Sequence, residues 1–466
     1  MASRVRWAIL LLLVVGHAGA AEPATGFQER RVRQGTSLDW DFAAGKGAKL
    51  PREHDSRRVR YQLFVPESYK ANRSWPLIVF VAPGDAPLAF KYWSGPCEKS
   101  DVLFCAAHGA GGDCPEAQRF RIVCDALDDV RRDYRIDPDR TYLVGQDGGA
   151  PIAFRLAAAL PETFGGVVLI NGDGPLPRLE YSLTRMSGRL SVALIAGEKE
   201  PARARMERYF APLLSELGIR SKLWLADVKE GEHPRAATLE AALDWLQAGV
   251  KRRVEDTKEN VAGPGAMLEQ ARRERLDDKT LAGAAAKLQW LSERYAGTVT
   301  ARKAKELLDE LNKDDETRRK LVEHQDEQRR RVLAAKARAL EKLGSLAEAR
   351  KAWLSAAELG PAPQKKQAEA EAKRLAALLA KGAYLGLTFV GETTAVKSTA
   401  TGGPARLAGL RAGDRVEKVA GTAVDSPAAV RKLIAAKKPG EEVVFEVKRE
   451  DEVLKIRVTL GSVPVE

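Results

Sequence analysis

The sequence predicts an α/β domain, then an all-α segment, then a small β-rich domain, and three changes of residue pattern carry that expectation. Within residues 60–250, short runs rich in Val, Ile and Leu fall at 76–81, 101–105, 141–144, 167–170 and 190–196. They alternate with helical patterns, which is how a parallel sheet covered by helices on both faces reads. Residues 251–381 are rich in Ala, Leu, Lys, Arg and Glu with almost no β-branched clusters, a composition that favours long helices. Residues 383–464 return to short strands broken at Gly402-Gly403-Pro404, Ala412-Gly413-Asp414 and Pro439-Gly440.

The bulk composition agrees. The chain has 466 residues, 44% hydrophobic and 30% charged, too apolar for a disordered chain and too charged for a multi-span membrane protein. Lys and Arg total 76 against 64 Asp and Glu. That excess is dispersed, without aromatic RNA-recognition patterns or zinc-finger spacing, so it reads as a solvated basic surface and nucleic acid is not an expected partner. Arg4 and Arg6, the apolar run 7–15 and Ala18-Gly19-Ala20 have the order of a secretory signal over 1–20, followed by an N-terminal extension over 21–59. Export to a periplasmic or secreted location is therefore expected. No later run reaches 18 uninterrupted apolar residues, so no transmembrane segment is expected after cleavage. Cys97, Cys105, Cys114 and Cys124, in an oxidising compartment, are expected to form two disulfides whose pairing the sequence leaves open. Their long, nearly equal intervals do not suit zinc, and neither a metal nor a cofactor is implied.

The chemistry turns on Tyr142-Leu143-Val144-Gly145-Gln146-Asp147-Gly148-Gly149-Ala150, where an apolar strand meets a glycine turn and then the helical stretch 151–160. A nucleophile elbow needs small residues two places on either side of its apex, and Gly145 and Gly149 supply them. With the stretches Phe64-Val65-Pro66-Glu67-Ser68-Tyr69, Trp75-Pro76-Leu77-Ile78-Val79-Phe80, Tyr134-Arg135-Ile136-Asp137-Pro138-Asp139-Arg140-Thr141-Tyr142-Leu143 and Gly231-Glu232-His233-Pro234 in that order, the chain resembles the α/β-hydrolase superfamily. The resemblance is to its capless secreted esterases of the feruloyl-esterase and polyhydroxybutyrate-depolymerase type. It implies a three-layer α/β-hydrolase-like domain, a general base at His233, an orienting acid near Glu200 and oxyanion contacts near Gly84 and Gly148.

The departures matter more. The family's serine is replaced by Asp147, and no other Gly-x-Ser-x-Gly or Gly-x-Cys-x-Gly occurs. The early strand that normally ends in His-Gly ends in Ala82-Pro83-Gly84, and His108-Gly109, after the next strand, is a weak substitute. An aspartate apex is similar to that of haloalkane dehalogenases and epoxide hydrolases, where the carboxylate forms an ester that activated water opens. Those enzymes carry a helical cap after the sixth strand, and residues 172–188 leave no room for one. The preferred expectation is a catalytically degenerate pocket. The alternatives are a hydrolase acting through Asp147, His233 and Glu200, or a metal held by those three side chains.

In the middle segment, Gly344, Ala349, Trp353, Ala356 and Pro361 fall at offsets that resemble the back half of a tetratricopeptide (TPR) repeat, with a generic helical hairpin as the alternative. The segment is expected to space the two ends and to offer a surface to a protein partner. The last domain resembles a bacterial PDZ domain of the kind attached to envelope proteases. The resemblance rests on Tyr384-Leu385-Gly386-Leu387, Gly403-Pro404-Ala405-Arg406-Leu407-Ala408-Gly409-Leu410, Ala412-Gly413-Asp414-Arg415-Val416, Val419-Ala420-Gly421 and Pro439-Gly440, with Ala420 where Asn is usual. It implies binding of polypeptide C-termini. Amides around Leu385, Gly386 and Leu387 would receive the carboxylate, and the peptide would add as a strand beside 387–390. Phe389 and, on the helix expected at 426–436, Val430, Leu433 and Ile434 would offer apolar contact; the same four could equally be plain core residues. Docking within the chain is the alternative use of such a domain.

Overall fold

The computed structural model describes residues 24–45, 47–227, 232–251, 253, 263–359, 362–380, 382–400 and 403–462; the expected signal at 1–20 lies outside the described residues. Eight strands form one sheet: β1 (Gly26–Arg31), β2 (Arg60–Val65), β3 (Trp75–Val81), β4 (Leu103–Ala107), β5 (Ile136–Gln146), β6 (Gly166–Ile170), β7 (Ser191–Gly197) and β8 (Arg220–Ala226). Their order is β1-β2-β4-β3-β5-β6-β7-β8. β1 and β2 run antiparallel, β2 meets β4 antiparallel, and every pairing from β4 across to β8 is parallel.

The apolar runs explain the centre of this sheet. β3, β4, β6 and β7 are buried at every position, as strands covered on both faces must be. Along β3, Leu77, Val79 and Val81 enter the core shared with helices Glu116–Asp133 and Ala150–Ala159. Ile78 and Phe80 enter the opposite core, with helices Phe90–Lys99 and Ala236–Ala248. The result is the three-layer arrangement the sequence predicts.

Residues 26–31, expected as part of an extension, instead form the edge strand β1, in continuous register from Gly26↔Val65 to Arg31↔Arg60. Arg33 then ties this stretch to helix Glu116–Asp133 through Asp129 (3.1 Å) and Asp133 (3.0 Å). The strand was illegible because its sequence, GFQERR, is polar and half-exposed.

The expected disulfides are absent: Cys97, Cys105, Cys114 and Cys124 are all free. The sheet lies between Cys97, in one core, and Cys105 and Cys124, in the other. These three thiols serve as small buried apolar groups, and burial pushes each of them far above the usual thiol range, which leaves them unreactive.

The middle segment is not a free spacer. Helices Pro264–Glu274, Leu281–Arg294, Val299–Leu311, Asp315–Leu343, Leu346–Ala357 and Ala362–Ala380 form a layer packed on the α/β domain. Ala334, Ala335, Ala337, Ala339 and Leu340 belong to the same continuous core as Met206, Phe210 and Leu213. At the other end of the layer, Trp290 meets Phe42 and Tyr181 edge-on at 6.3 and 5.4 Å between ring centroids. The Arg294 and Arg185 guanidinium groups lie 4.9 and 5.3 Å from the Trp290 ring. Arg294 pairs with Glu162, which Arg185 also reaches at 3.2 Å, and with Asp39 at 3.1 Å. Of the tetratricopeptide positions, Ala349, Trp353 and Ala356 are buried in a helical hairpin, and Pro361 lies outside the described residues.

The last domain holds β9 (Ala383–Tyr384), β10 (Leu387–Phe389), β11 (Val396–Thr399), a four-stranded antiparallel sheet and helices Pro404–Leu407 and Pro427–Ala435. Its buried Asp414 accepts two bonds from Arg449, at 2.7 and 2.8 Å, and Arg449 also donates to the Gly409 carbonyl at 2.8 Å.

Burial alone would raise the Glu162 carboxyl, but Arg294 and Arg185 outweigh it and hold Glu162 below its usual range. A depressed carboxylate stabilises the fold above its unfolded pKa and loses that contribution as pH falls through the folded value. Glu162→Gln should therefore cost about 2 kcal/mol near neutral pH, less than opening a fully buried ion pair because the Glu162 side chain is partly exposed and Asp39 still faces Arg294. Chemical denaturation at pH 7 and in acid would check this, with the difference from wild type shrinking on acidification.

Candidate functional site

The site begins with a steric requirement at the end of β5. A Cβ on Gly149 would lie 2.1 Å from the Val81 carbonyl oxygen, and one on Gly145 would lie 2.6 Å from Ala150 Cα. Glycine at both places lets β3, β5 and helix Ala150–Ala159 converge. Asp147, between them, is forced to φ +47°, a conformation that a non-glycine residue adopts only under constraint. It is the apex of an elbow, with its side chain exposed. Desolvation by the surrounding groups pushes the Asp147 carboxyl above its usual range, against a lowering hydrogen bond from Gln146.

The other expected residues lie beyond the carboxyl ends of parallel strands, where open α/β sheets bind ligands. Gly84 follows β3, Glu200 follows β7 and His233 follows β8. Gly84 and Gly148 are both exposed. The Gly84 loop is tied to its neighbour: the Gly112 amide donates to Pro83 O at 3.0 Å, the Gly109 amide to Asp85 O at 2.8 Å, and buried Arg119 to Ala110 O at 2.7 Å. His108 takes no part, since its Nε2 lies 3.1 Å from Glu29 on β1.

Topological order does not become contact. The His233 ring stacks on Tyr92 with centroids 4.3 Å apart and planes 2° from parallel. Its Nδ1 lies 3.2 Å from the Pro234 carbonyl oxygen, and its buried Nε2 has no hydrogen-bond partner among the described residues. Neither ring nitrogen is therefore bonded to Asp147 or Glu200. Burial, with the nearby Lys91 charge, pushes the imidazole below its usual range despite the Pro234 contact, so it is neutral at neutral pH. Glu200 lies in the turn after β7, its amide donating to Gly197 O at 3.1 Å and its carbonyl accepting from Arg203 N at 3.1 Å. Among the described residues no three His, Cys, Asp or Glu side chains converge to hold a metal, so the ligand set Asp147, Glu200 and His233 is not assembled.

Two features near the turn escape sequence reading. Gly172 packs against Ala150 and the Asp147 carbonyl, and the next residue, Asp173, pairs with Arg205 at 2.6 Å. Burial raises the Asp173 carboxyl and Arg205 opposes it. Tyr92 is the other: an aromatic on a helix remote in sequence from the histidine it covers.

The second candidate site is the edge of β10 in the last domain. Among the described residues β10 is hydrogen-bonded along one edge, to β11, with Leu387 opposite Thr399. Leu385, Val430 and Ile434 are buried in one apolar core and Leu387, Phe389 and Leu433 pack half-buried against it, as plain core residues also would. Gly386 stands at φ +72°, where a Cβ would be 3.1 Å from the Tyr384 ring. The Leu385 and Gly386 carbonyls accept from Ala405 N and Ala400 N at 2.9 and 2.8 Å. The Leu385 and Gly386 amide N–H groups donate to no backbone carbonyl of the described residues.

Removing the stacked ring should relieve the desolvation of His233. In Tyr92→Ala the His233 titration, followed by NMR of its ring protons, should move upward from a depressed midpoint towards the ordinary imidazole range; an unchanged midpoint would contradict this account of the shift.

Residues 383–460 match the family described as PDZ domain. The chain is similar to NocK of Nocardia uniformis subsp. tsuyamanensis, a protein named as an esterase, at 36% identity over 77 residues, 16% of this chain and 22% of NocK. It thus spans about a fifth of that relative's length. Among solved structures it is similar to a thermostable esterase, at 18% identity and a TM-score of 0.31 over 41% of this chain and 58% of the other. It is also similar to the HtrA-type protease AlgW with a decapeptide, at 17% identity and a TM-score of 0.17 over 20% of this chain and 35% of the other. The chain joins an α/β-hydrolase-like region, with aspartate at the apex of the turn after β5, to a C-terminal PDZ domain.

Proposed function

We propose that this protein is an exported binding protein whose PDZ groove captures polypeptide C-termini, while the hydrolase-like region is a second recognition surface that breaks no bonds. The observation that carries the binding reading is the open edge of β10, whose Leu387 and Phe389 pack on the same core as helix Pro427–Ala435, with two uncommitted amides at Leu385 and Gly386. A peptide in this groove adds as a strand to β10, its terminal carboxylate accepting from those amides and its last side chain resting on Leu433, Val430 and Ile434. No helix among the described residues is long and apolar enough to cross a membrane.

The non-catalytic reading of the front region rests on His233. A general base must reach the nucleophile or its attacking water, and here the imidazole faces a backbone carbonyl and a tyrosine ring. One observation favours the rival reading, hydrolysis through Asp147, His233 and Glu200: the elbow geometry itself is kept and the Asp147 side chain is exposed.

Titration of the full chain with a decapeptide ending in valine, as free acid and as C-terminal amide, tests the groove. Charged hydrogen bonds of about 1.5–3 kcal/mol correspond to roughly ten- to a hundredfold in affinity, so the amide should bind at least about tenfold more weakly. Gly386→Val should abolish binding of both. Equal affinity for acid and amide would overturn carboxylate capture. For the front region, wild type and Asp147→Asn should both fail to turn over a phenyl ester, an epoxide and a haloalkane. Turnover by the wild type that the variant loses would establish the rival.

A further inference from the structure

Where the three parts of the chain meet, the structure forms an open-mouthed cavity of about 380 Å³. Each part contributes a cation to its wall: Arg208 from the hydrolase-like region, Lys342 from the end of helix Asp315–Leu343, and Arg457 from the PDZ strand Glu452–Thr459. One carboxylate shares the wall, Glu341, and both of its oxygens accept from Arg374, at 2.6 and 2.7 Å. Lys342 and Arg457 have only long contacts with carboxylates, 4.0 Å to Glu216 and 3.7 Å to Glu442.

Arg208 is the distinctive member. It sits half-buried on the π-helical turn Met206–Phe210, and no hydrogen bond or ion pair joins it to another described residue. Such turns recur at functional sites. Burial disfavours its charge, and Arg203 adds like-charge repulsion that Glu207 only partly offsets. A guanidinium does not respond by losing its proton, so an anion in the pocket would offset both the desolvation and the Arg203 repulsion.

We propose that this junction cavity is a binding site for a small phosphate-type polyanion, held between Arg208, Lys342 and Arg457. Three cations facing one space, with its own carboxylate already committed to Arg374, match a ligand of two or more negative charges. The volume suits a small molecule. Since the three cations come from successive parts of the chain, an occupied site fixes the PDZ domain on the body formed by the other two.

The test is calorimetric titration of the full chain with inorganic phosphate and with pyrophosphate at constant ionic strength. Pyrophosphate should bind at one site and more tightly than phosphate. Arg208→Gln and Lys342→Gln should each weaken it at least about tenfold, the loss of one charged contact. Lys303→Gln, which removes an exposed cation on helix Val299–Leu311 outside the cavity wall, should bind as wild type does. Lys342 is exposed, so its variant keeps the test valid if Arg208→Gln fails to fold. No binding of either anion by the wild type, equal affinity in the wild type and the foldable cavity variants, or an equal loss in Lys303→Gln would overturn the site.

Discussion

The crowding of backbone at the carboxyl end of β5 is the constraint from which the front region's geometry follows. With glycine at 145 and 149, β3, β5 and helix Ala150–Ala159 approach to distances that any Cβ would forbid, and the residue between them takes a left-handed conformation. That conformation thrusts the side chain at 147 outward whatever its chemistry. An aspartate there inherits the posture of a nucleophile without the company of a base, because the imidazole that topology places nearby is held under Tyr92 and against a backbone carbonyl. At this site the scaffold constraint is kept, and neither ring nitrogen of His233 is bonded to Asp147.

A second constraint sets where the remaining parts sit. The helical layer shares its core with the α/β domain around Phe210 and Leu340, and a cluster of buried charge and aromatic rings around Trp290, Arg294 and Glu162 ties its other end. Burying an arginine among rings and carboxylates is tolerable only while every partner is present. The layer therefore behaves as part of the body, and the PDZ domain follows it directly, with the Gly440 turn against the first turn of helix Leu346–Ala357. Of the two expectations for the middle, a spacer or a platform, the shared core fits the platform.

Legibility in the sequence followed the range of the physics involved. Val- and Ile-rich runs located β3, β4, β6 and β7 to within about two residues and the buried half of β5, because strands buried on both faces admit little else. The edge strands β1 and β8 left weak traces, since half-exposed positions tolerate polar residues. The apolar positions from Leu385 to Phe389 and Val430 to Ile434, which share one core, were readable from glycine placement and helical spacing. The pairing of Tyr92 with His233 and of Asp173 with Arg205 was not, because nothing local marks either partner.

By itself the sequence determined what depends on neighbours along the chain: the glycine elbow with an acid at its apex, the alternation of strands and helices, and the turn order of the PDZ domain. These follow from allowed backbone angles and from the periodicity of apolar side chains. Tertiary structure alone decided which side chains meet. It separated Cys97 from Cys105 and Cys124 by a sheet, stacked His233 on Tyr92, pressed the helical layer onto the body, and gathered Arg208, Lys342 and Arg457 around one cavity. Contacts between residues a hundred or more positions apart depend on how whole layers pack, and composition and spacing do not encode that packing.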